Sequence, residues 1–277
     1  MKSFRLILKA ATVCILSIFI DPHTVAAQPA TTDSVTITGS VSDYEGCAIG
    51  GCSVMFLDTN FDVLAETKTN SEGLYSIKIP KGRYSSMSAI KMDTYPHTMK
   101  PGTADKDLRL EFWGWNFIAD KDTCVNIRYH RMEAYGLHAF RIPGGMPTYQ
   151  IYVRPMSLTR FLASTEVEKA QHKQVLSATD QQAASENARC DGMAPEIDRA
   201  DIKVWIDGEE MPILMKQQVK EYYEADEYGI GYYLTVNEPQ RSTSRPYRVF
   251  KIELTDLENG DKGEAIYYLE KNDYMER

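Results

Sequence analysis

Short runs of alternating apolar and polar residues, separated by turn residues, dominate the first part of the chain. Residues 35–41 alternate with a period of two, which predicts a strand with one buried face. Further short strands are predicted at 54–57, 63–69 and 74–79, with Gly, Asn and Asp between them. Because short strands at this spacing pack as two facing sheets, the pattern predicts a β-sandwich.

The order of the turn motifs adds a resemblance. Residues 37–41 (ITGSV) are followed by 65–75 (AETKTNSEGLY) and then by 80–84 (PKGRY). This order resembles the carboxypeptidase regulatory-like family, whose pattern is G-x-V, a turn, G-A-x-V, then T-x-x-x-G-x-Y/F and P-x-G-x-Y. The resemblance covers residues 33–105 and implies a transthyretin-like sandwich that acts as a binding or spacer module, without peptidase activity. Cys47 and Cys52 depart from the family pattern.

Physical reasoning on two kinds of residue agrees with this fold. Gly73 lies in the turn before Tyr75, where we predict a backbone with positive φ. Tyr75 and Tyr84 are large enough to fill the space between two sheets.

A second β-rich region is predicted over residues 107–272. Strand patterns recur at 108–117, 124–129, 148–153, 202–206, 231–236, 249–254 and 264–269. We interpret them as one Ig-like sandwich with a helical insert at about 165–190, where Thr165 and Glu168 form a capping box. Two smaller domains are the alternative. The region resembles an uncharacterised secreted β-rich family, which transfers no activity. The predicted fold class is all-β.

The N-terminus predicts export. Lys2, Arg5 and Lys9 precede an apolar run at 10–20, and small residues follow at 25–27. This is the pattern of a secretory signal peptide, so we expect cleavage after residue 27, with an uncleaved anchor as the alternative. No later stretch reaches the ~20 apolar residues of a membrane-spanning helix. We therefore expect an exported protein, in the periplasm or at the cell surface.

The charge of the chain narrows its partners. Loss of residues 1–27 removes three of the 31 basic residues and one of the 39 acidic residues, which leaves a net charge of −10. An acidic surface argues against nucleic acid and against anionic lipid as partners.

Four cysteines follow the signal peptide, and an oxidising compartment favours disulfides. We expect bonds between Cys47 and Cys52 and between Cys124 and Cys190. The alternative is that all four are small buried side chains with free thiols.

Motifs of catalysis are missing from the sequence. It contains no H-E-x-x-H, no G-x-S-x-G and no P-loop. His130 and Glu133 match the H-x-x-E of zinc carboxypeptidases, but the remainder of such a site is absent, so we interpret them as parts of a strand and turn. Acidic residues at 256–264 are interpreted as a charged surface hairpin rather than a calcium loop. We predict no catalytic residue, metal or cofactor.

One aromatic row is the candidate binding surface. Trp113, Trp115 and Phe117 are spaced at i, i+2 and i+4, so on a regular strand they project from one face beside Arg109 and Glu111. Exposed aromatic rings next to polar groups stack on sugar rings. The alternative is that this face is buried in the core.

These observations rank three functions. The first is a non-catalytic binding or accessory protein of the cell envelope, with a glycan or a peptide as its ligand. The second is a structural or interaction partner of an envelope protein assembly. The third, a hydrolase, requires a polar cleft with convergent ionisable groups.

Overall fold

The computed structural model describes residues 33–142, 144–164, 190–222 and 228–271. Their strands are β1 (Ser34–Ser42), β2 (Ser53–Leu57), β3 (Val63–Lys68), β4 (Leu74–Pro80), β5 (Gly82–Ile90), β6 (Phe112–Ala119), β7 (Thr123–Cys124), β8 (Ile127–Arg128), β9 (Met132–Phe140), β10 (Thr148–Ser157), β11 (Ala200–Ile206), β12 (Glu209–Met211), β13 (Ile213–Tyr222), β14 (Tyr228–Asn237), β15 (Tyr247–Asp256) and β16 (Lys262–Glu270). Short 3₁₀ helices are Met92–Thr94, Asp105–Asp107, Cys190–Met193 and Ile197–Arg199. Residues 158–164 are α-helical. The predicted signal peptide and most of the predicted helical insert, 165–189, lie outside the described residues.

The predicted all-β class is confirmed, and the strands form two sandwiches that share one sheet. That sheet has eight strands in the order β12-β11-β15-β16-β6-β5-β2-β3. In the first sandwich its β6-β5-β2-β3 half packs against a sheet of β4, β1, β7 and β8. In the second sandwich its other half packs against β13-β14-β10-β9. The shared sheet therefore crosses the predicted boundary near residue 106.

A parallel pairing of β6 with β16 joins the two halves. Gly114 lies opposite Ile266, where an added Cβ would come within 2.9 Å of the Ile266 side chain. Along β16, Ile266 and Tyr268 enter the core of the first sandwich, whereas Ala265 and Tyr267 enter the core of the second. Because neighbouring strand residues point to opposite faces, the two sandwiches lie on opposite sides of the shared sheet.

The turn chemistry of the first sandwich follows the sequence. Gly73 has a φ of 74°, as predicted. Its N–H donates to the Asn70 carbonyl, while the Asn70 side chain accepts hydrogen bonds from the backbone N–H groups of Glu72 and Leu74. Tyr75 and Tyr84 are buried in the core. An Asn side chain that bonds its own backbone thus sets this hairpin.

The predicted single-face row of aromatic residues is wrong for Phe117. Asn116 has a φ of 52°, in the left-handed region, and it is skipped in the pairing of β5 with β6, whose register is the same on either side. Trp113 and Trp115 therefore lie on one face of the sheet, and Phe117 lies on the other. The Phe117 ring is fully buried 5.2 Å from that of Phe56.

The predicted disulfides are not formed. Cys47 is exposed, whereas Cys52 is fully buried with its Sγ 3.5 Å from the Tyr129 hydroxyl. Burial raises the pKa of the Cys52 thiol to about 11, so it is unreactive at neutral pH. Cys124 is exposed and free. The side chain of Cys190 lies outside the described part of the chain.

The predicted charged hairpin forms at 256–264 with its tip, residues 257–260, exposed, but two of its acids are not surface groups. Asp256 and Asp261 are almost completely buried. Arg160 donates to both carboxylate oxygens of Asp256, at 2.6 and 3.2 Å, and Asp261 accepts from Arg131 and from the Ser157 hydroxyl. We call Asp256 and Asp261 the acidic turn.

None of the described helices is long and apolar enough to cross a membrane.

Candidate functional site

A cavity of about 90 Å³ opens at the junction of the two sandwiches. It lies on the side of β6 that faces the second sandwich, where β9 and β10 approach the shared sheet. Five parts of the chain line it: the loop after the first 3₁₀ helix, the start of β6 with the residues before it, β9, β10, and the segments on either side of residues 165–189. The lining residues are Tyr95, Pro96, His97, Leu110, Glu111, Trp113, Glu133, Tyr135, Arg154, Met156, Ser157, Phe161 and Met193.

Two buried glutamates meet in the wall of this cavity. Glu111 precedes β6 and Glu133 lies on β9, and both side chains are more than nine-tenths buried. The indole Nε1 of Trp113 donates to Glu133 Oε1 at 2.8 Å and to Glu111 Oε1 at 3.3 Å. Because both accept from one N–H, the two carboxyl groups lie close enough for each to affect the pKa of the other. We call Glu111 and Glu133 the carboxyl pair.

The carboxyl pair retains protons at neutral pH. Burial raises the pKa of Glu111 to about 7, although hydrogen bonds from Trp113 and Glu133 oppose the shift. Burial and the negative charge of Glu111 raise the pKa of Glu133 well above its usual range. Two carboxylates in direct contact do not both ionise, because their repulsion is unscreened. Near pH 7 the pair therefore carries at most about one negative charge, and the pKa of Glu111 is the lower of the two.

Aromatic rings form the adjoining wall. Trp113 and Trp115 stack with ring centroids 4.9 Å apart, and Tyr135 packs edge-on against both. Phe61, from the loop between β2 and β3, packs edge-on against the same two tryptophans. Trp113 is buried and Trp115 is half-buried, so part of the predicted aromatic row supports the cavity from behind.

Arg154 is the one Lys or Arg among the described lining residues, and its charge is already matched. Arg154 on β10 donates through Nε to Glu221 Oε2 at 2.8 Å, and Glu221 also accepts the hydroxyl of Tyr152. Burial raises the pKa of Glu221, but the hydrogen bonds from Arg154 and Tyr152 outweigh it and hold the pKa below the usual range. The guanidinium carbon of Arg154 lies 5.3 Å from the centre of the Tyr135 ring.

The structure places the predicted site residues in three different environments: at the cavity, in the core of the first sandwich, and in an ion pair away from the cavity lining. Glu111 and Trp113 line the cavity, and Trp115 lies behind Trp113. Phe117 belongs to the core of the first sandwich. Arg109 is not among the lining residues, since it makes an ion pair of 3.3 Å with Asp43.

Sequence reasoning missed most of the lining. Glu133 was noticed only as half of an H-x-x-E motif, and its partner in the structure is Glu111 rather than His130. Tyr95, Tyr135 and Arg154 carry no motif, and they reach the cavity through strand pairings between distant parts of the chain. Among the described residues, no three His, Cys, Asp or Glu side chains form a group that would hold a metal ion.

Comparisons with known proteins give only distant likenesses. No family model matches the chain, and no curated protein matches it. Of the solved structures, the major pilin subunit BcpA of Bacillus cereus is 10% identical, with 86% of this chain and 69% of that chain covered and a TM-score of 0.25. A Bacteroides uniformis protein, provisionally named a carbohydrate binding protein, is 8% identical over 86% and 99%, with a TM-score of 0.26.

A DUF3823 family protein from Parabacteroides merdae is similar to the same extent. It is 8% identical over 86% of this chain and 98% of that chain, with a TM-score of 0.25. TM-scores of this size are too low for the likeness to bear on the function of this chain.

Proposed function

We propose that the protein is an exported, non-catalytic binding protein of the cell envelope, and that its ligand enters the cavity beside the carboxyl pair. The carrying observation is the convergence of Trp113, Tyr135, Glu111 and Glu133 on one concave site. Pockets that bind small ligands combine apolar and aromatic walls with a few fixed polar groups, and this cavity has that composition. A sugar unit of a glycan or a side chain of a peptide matches its small size.

The geometry of the carboxyl pair favours binding over glycoside hydrolysis. Glycosidases of both stereochemical classes hold their two carboxyl groups about 5 Å or more apart, so that the sugar or a water fits between them. Here the carboxyl groups of Glu111 and Glu133 both accept from the single N–H of Trp113. The shared N–H holds the two groups together on one wall of the cavity, rather than on opposite sides of a sugar ring.

The N-terminal resemblance supports the same class of function. Residues 33–105 resemble a module that binds or spaces rather than one that catalyses, and in the structure they build most of the first sandwich. The net negative charge disfavours polyanionic ligands.

A binding screen tests the proposal. Purified residues 28–277 would be applied to a glycan array and to a peptide library, together with the variants Tyr135→Ala and Tyr222→Ala. Tyr135 forms the cavity wall, whereas Tyr222 lies on β13 with an exposed fraction of 62%, so it is the matched aromatic control. We expect a ligand that binds wild type and Tyr222→Ala and is lost from Tyr135→Ala.

Two results would contradict the proposal. Binding that Tyr135→Ala leaves intact would place the ligand elsewhere, and turnover of a bound glycan or peptide would make the protein a hydrolase. If no glycan and no peptide bound, cross-linking in cells would be the test of the remaining function, that of a partner in an envelope protein assembly.

A further inference from the structure

We propose that the cavity recognises a protonated amine, which binds between the carboxyl pair and the aromatic wall. This inference rests on the proposed function and names the chemistry of its ligand. Two sources supply the group at the cell envelope: an amino sugar that lacks an N-acetyl group, and the side chain of a lysine in a peptide. The shared chemistry is a primary ammonium on an otherwise uncharged carrier.

The carboxyl pair supplies hydrogen-bond acceptors for the N–H groups of an ammonium. An ionised Glu111 carboxylate presents two oxygens with about four acceptor positions, the protonated Glu133 retains some acceptor capacity, and an ammonium carries three N–H donors and no acceptor. The Trp113 indole supplies one N–H, which both carboxyl groups share. A buried pair of acids that lines a cavity therefore matches a compact group that only donates.

The charges of the lining side chains also bear on which ligand the cavity favours. Arg154 lines the cavity, but Glu221 neutralises it from the far side. Burial lowers the pKa of His97, so this lining residue is uncharged at neutral pH. Once Glu111 ionises, its carboxylate is thus the unmatched charge among the described lining residues, and it favours a cationic ligand over an anionic one.

The rings of the aromatic wall attract a cation as well. The face of a Trp or Tyr ring attracts cations within about 6 Å of its centre, and the attraction is strongest away from water. Tyr135 already attracts the guanidinium of Arg154, at 5.3 Å. Tyr95, Trp113 and Phe161 add further rings to the lining. Aromatic rings beside acidic groups discriminate an amine from a neutral hydroxyl or acetamide.

Binding of an ammonium also changes the number of protons on the carboxyl pair. The empty cavity at about pH 6 contains Glu133 as an acid and Glu111 largely protonated. The ammonium favours the charged form of Glu111, so binding expels a proton from Glu111 to solvent. Among the described residues, the other charged or titratable groups at the cavity are His97, Tyr95, Tyr135 and Arg154, with Glu221 behind Arg154. Burial lowers the pKa of His97, so a charge on its imidazole forms only at the acid end of the range, where it also disfavours an ammonium. Affinity for amines should therefore rise between pH 5 and pH 7.5.

Calorimetry with matched pairs of ligands tests this inference. Glucosamine would be compared with N-acetylglucosamine, and Nα-acetyl-lysine amide with its Nε-acetylated form, so that the two arms separate the sugar source from the peptide source. We expect the free amine of one pair to bind about tenfold or more tightly than its acetylated form. The heat of binding at pH 6 should depend on the ionisation enthalpy of the buffer, which reports proton release.

Variants then locate the effect. Glu111→Gln retains the hydrogen bonds of the neutral acid but cannot ionise, so it should lose the preference for the amine and the dependence on buffer. Glu210→Gln removes an acid from the exposed part of β12 and controls for overall charge. Circular dichroism checks that each variant is folded.

The outcomes separate this inference from the proposed function. A ligand that depends on Tyr135 but binds equally well after acetylation would overturn the amine and leave the binding site standing. An amine preference that persists in Glu111→Gln would place the amine elsewhere. Failure of both amines and both acetylated forms to bind overturns the inference, and a Tyr135-dependent hit in the glycan or peptide screen would still preserve the proposed function.

Discussion

Two of the places where the protein buries acidic side chains, the acidic turn and the carboxyl pair, stabilise those side chains in opposite ways. In the acidic turn, Arg160 makes a two-point contact with Asp256, and Arg131 and two hydroxyl groups surround Asp261. In the carboxyl pair, the two acids meet each other and one indole N–H. The two pKa shifts differ in sign as a result.

The sign of each shift follows from the partner. Burial would raise the pKa of Asp256, but the hydrogen bonds from Arg160 and from the Glu258 backbone outweigh it and hold the pKa below the usual range. Burial raises the pKa of Glu111 to about 7, because no cation offsets it to that degree. A buried acid with a dedicated Arg holds the fold together, whereas a buried acid without one is available for a ligand.

The largest expected effect comes from removal of the cation at the acidic turn. Arg160→Met leaves the Asp256 carboxylate buried without its partner, so the free energy of unfolding at pH 7 should fall by about 3–5 kcal/mol. Urea denaturation measures it. Glu258→Gln is the control, because Glu258 is half exposed and its bond to Arg160 should contribute about 0–1 kcal/mol. A loss in Arg160→Met as small as that of the control would abolish the contrast between the two regions.

Substitution in the carboxyl pair should raise the free energy of unfolding, whereas Arg160→Met in the acidic turn lowers it. Glu111 has a raised pKa in the folded protein, so its favourable contribution is present below about pH 4.5 and is lost as the pH rises through about 7. Glu111→Gln removes this loss, and the variant should be more stable than wild type by about 1–3 kcal/mol at pH 8 and equal to it at pH 4.5. Unfolding in urea at the two pH values is the measurement. A variant that is less stable than wild type at pH 8 would mean that the Glu111 charge stabilises the fold.

The smallest expected effect separates the two stacked tryptophans. Trp113→Phe removes the N–H that both carboxyl groups accept, whereas Trp115→Phe removes an indole N–H that has no hydrogen-bond partner in the structure. Both changes remove a similar ring volume. Trp113→Phe should therefore be less stable than Trp115→Phe by about 1–2 kcal/mol at pH 8. Equal thermal stability of the two variants would show that the shared N–H contributes little.

Local patterns predicted the strands well and the site in part. Alternation predicted β1 and β4, a short apolar run predicted β2, and the turn at residues 70–73 predicted the positive φ at Gly73. Glu111 and Trp113 were selected because an acid beside an aromatic ring is typical of a binding surface. Phe117 was misplaced because a regular strand was assumed, and nothing in the sequence required Asn116 to adopt a left-handed backbone.

The remainder of the site depends on contacts between distant parts of the chain. Glu133 meets Glu111 because β9 packs over β6, and β9 is held there by β10 and β16. The parallel pairing of β6 with β16 joins residues about 150 positions apart, at Trp113 and Ala265. Periodicity describes one strand at a time, so it does not predict which strands become neighbours.

The position of β16 has a consequence for how the chain acquires its shape. β16 follows every other described strand in sequence, yet it lies between β15 and β6 in the shared sheet and supplies side chains to both cores. A chain that emerges from its N-terminus cannot close either sandwich until β16 arrives. Folding should therefore be delayed until β16 has been synthesised, and the two sandwiches should then form in a single cooperative step.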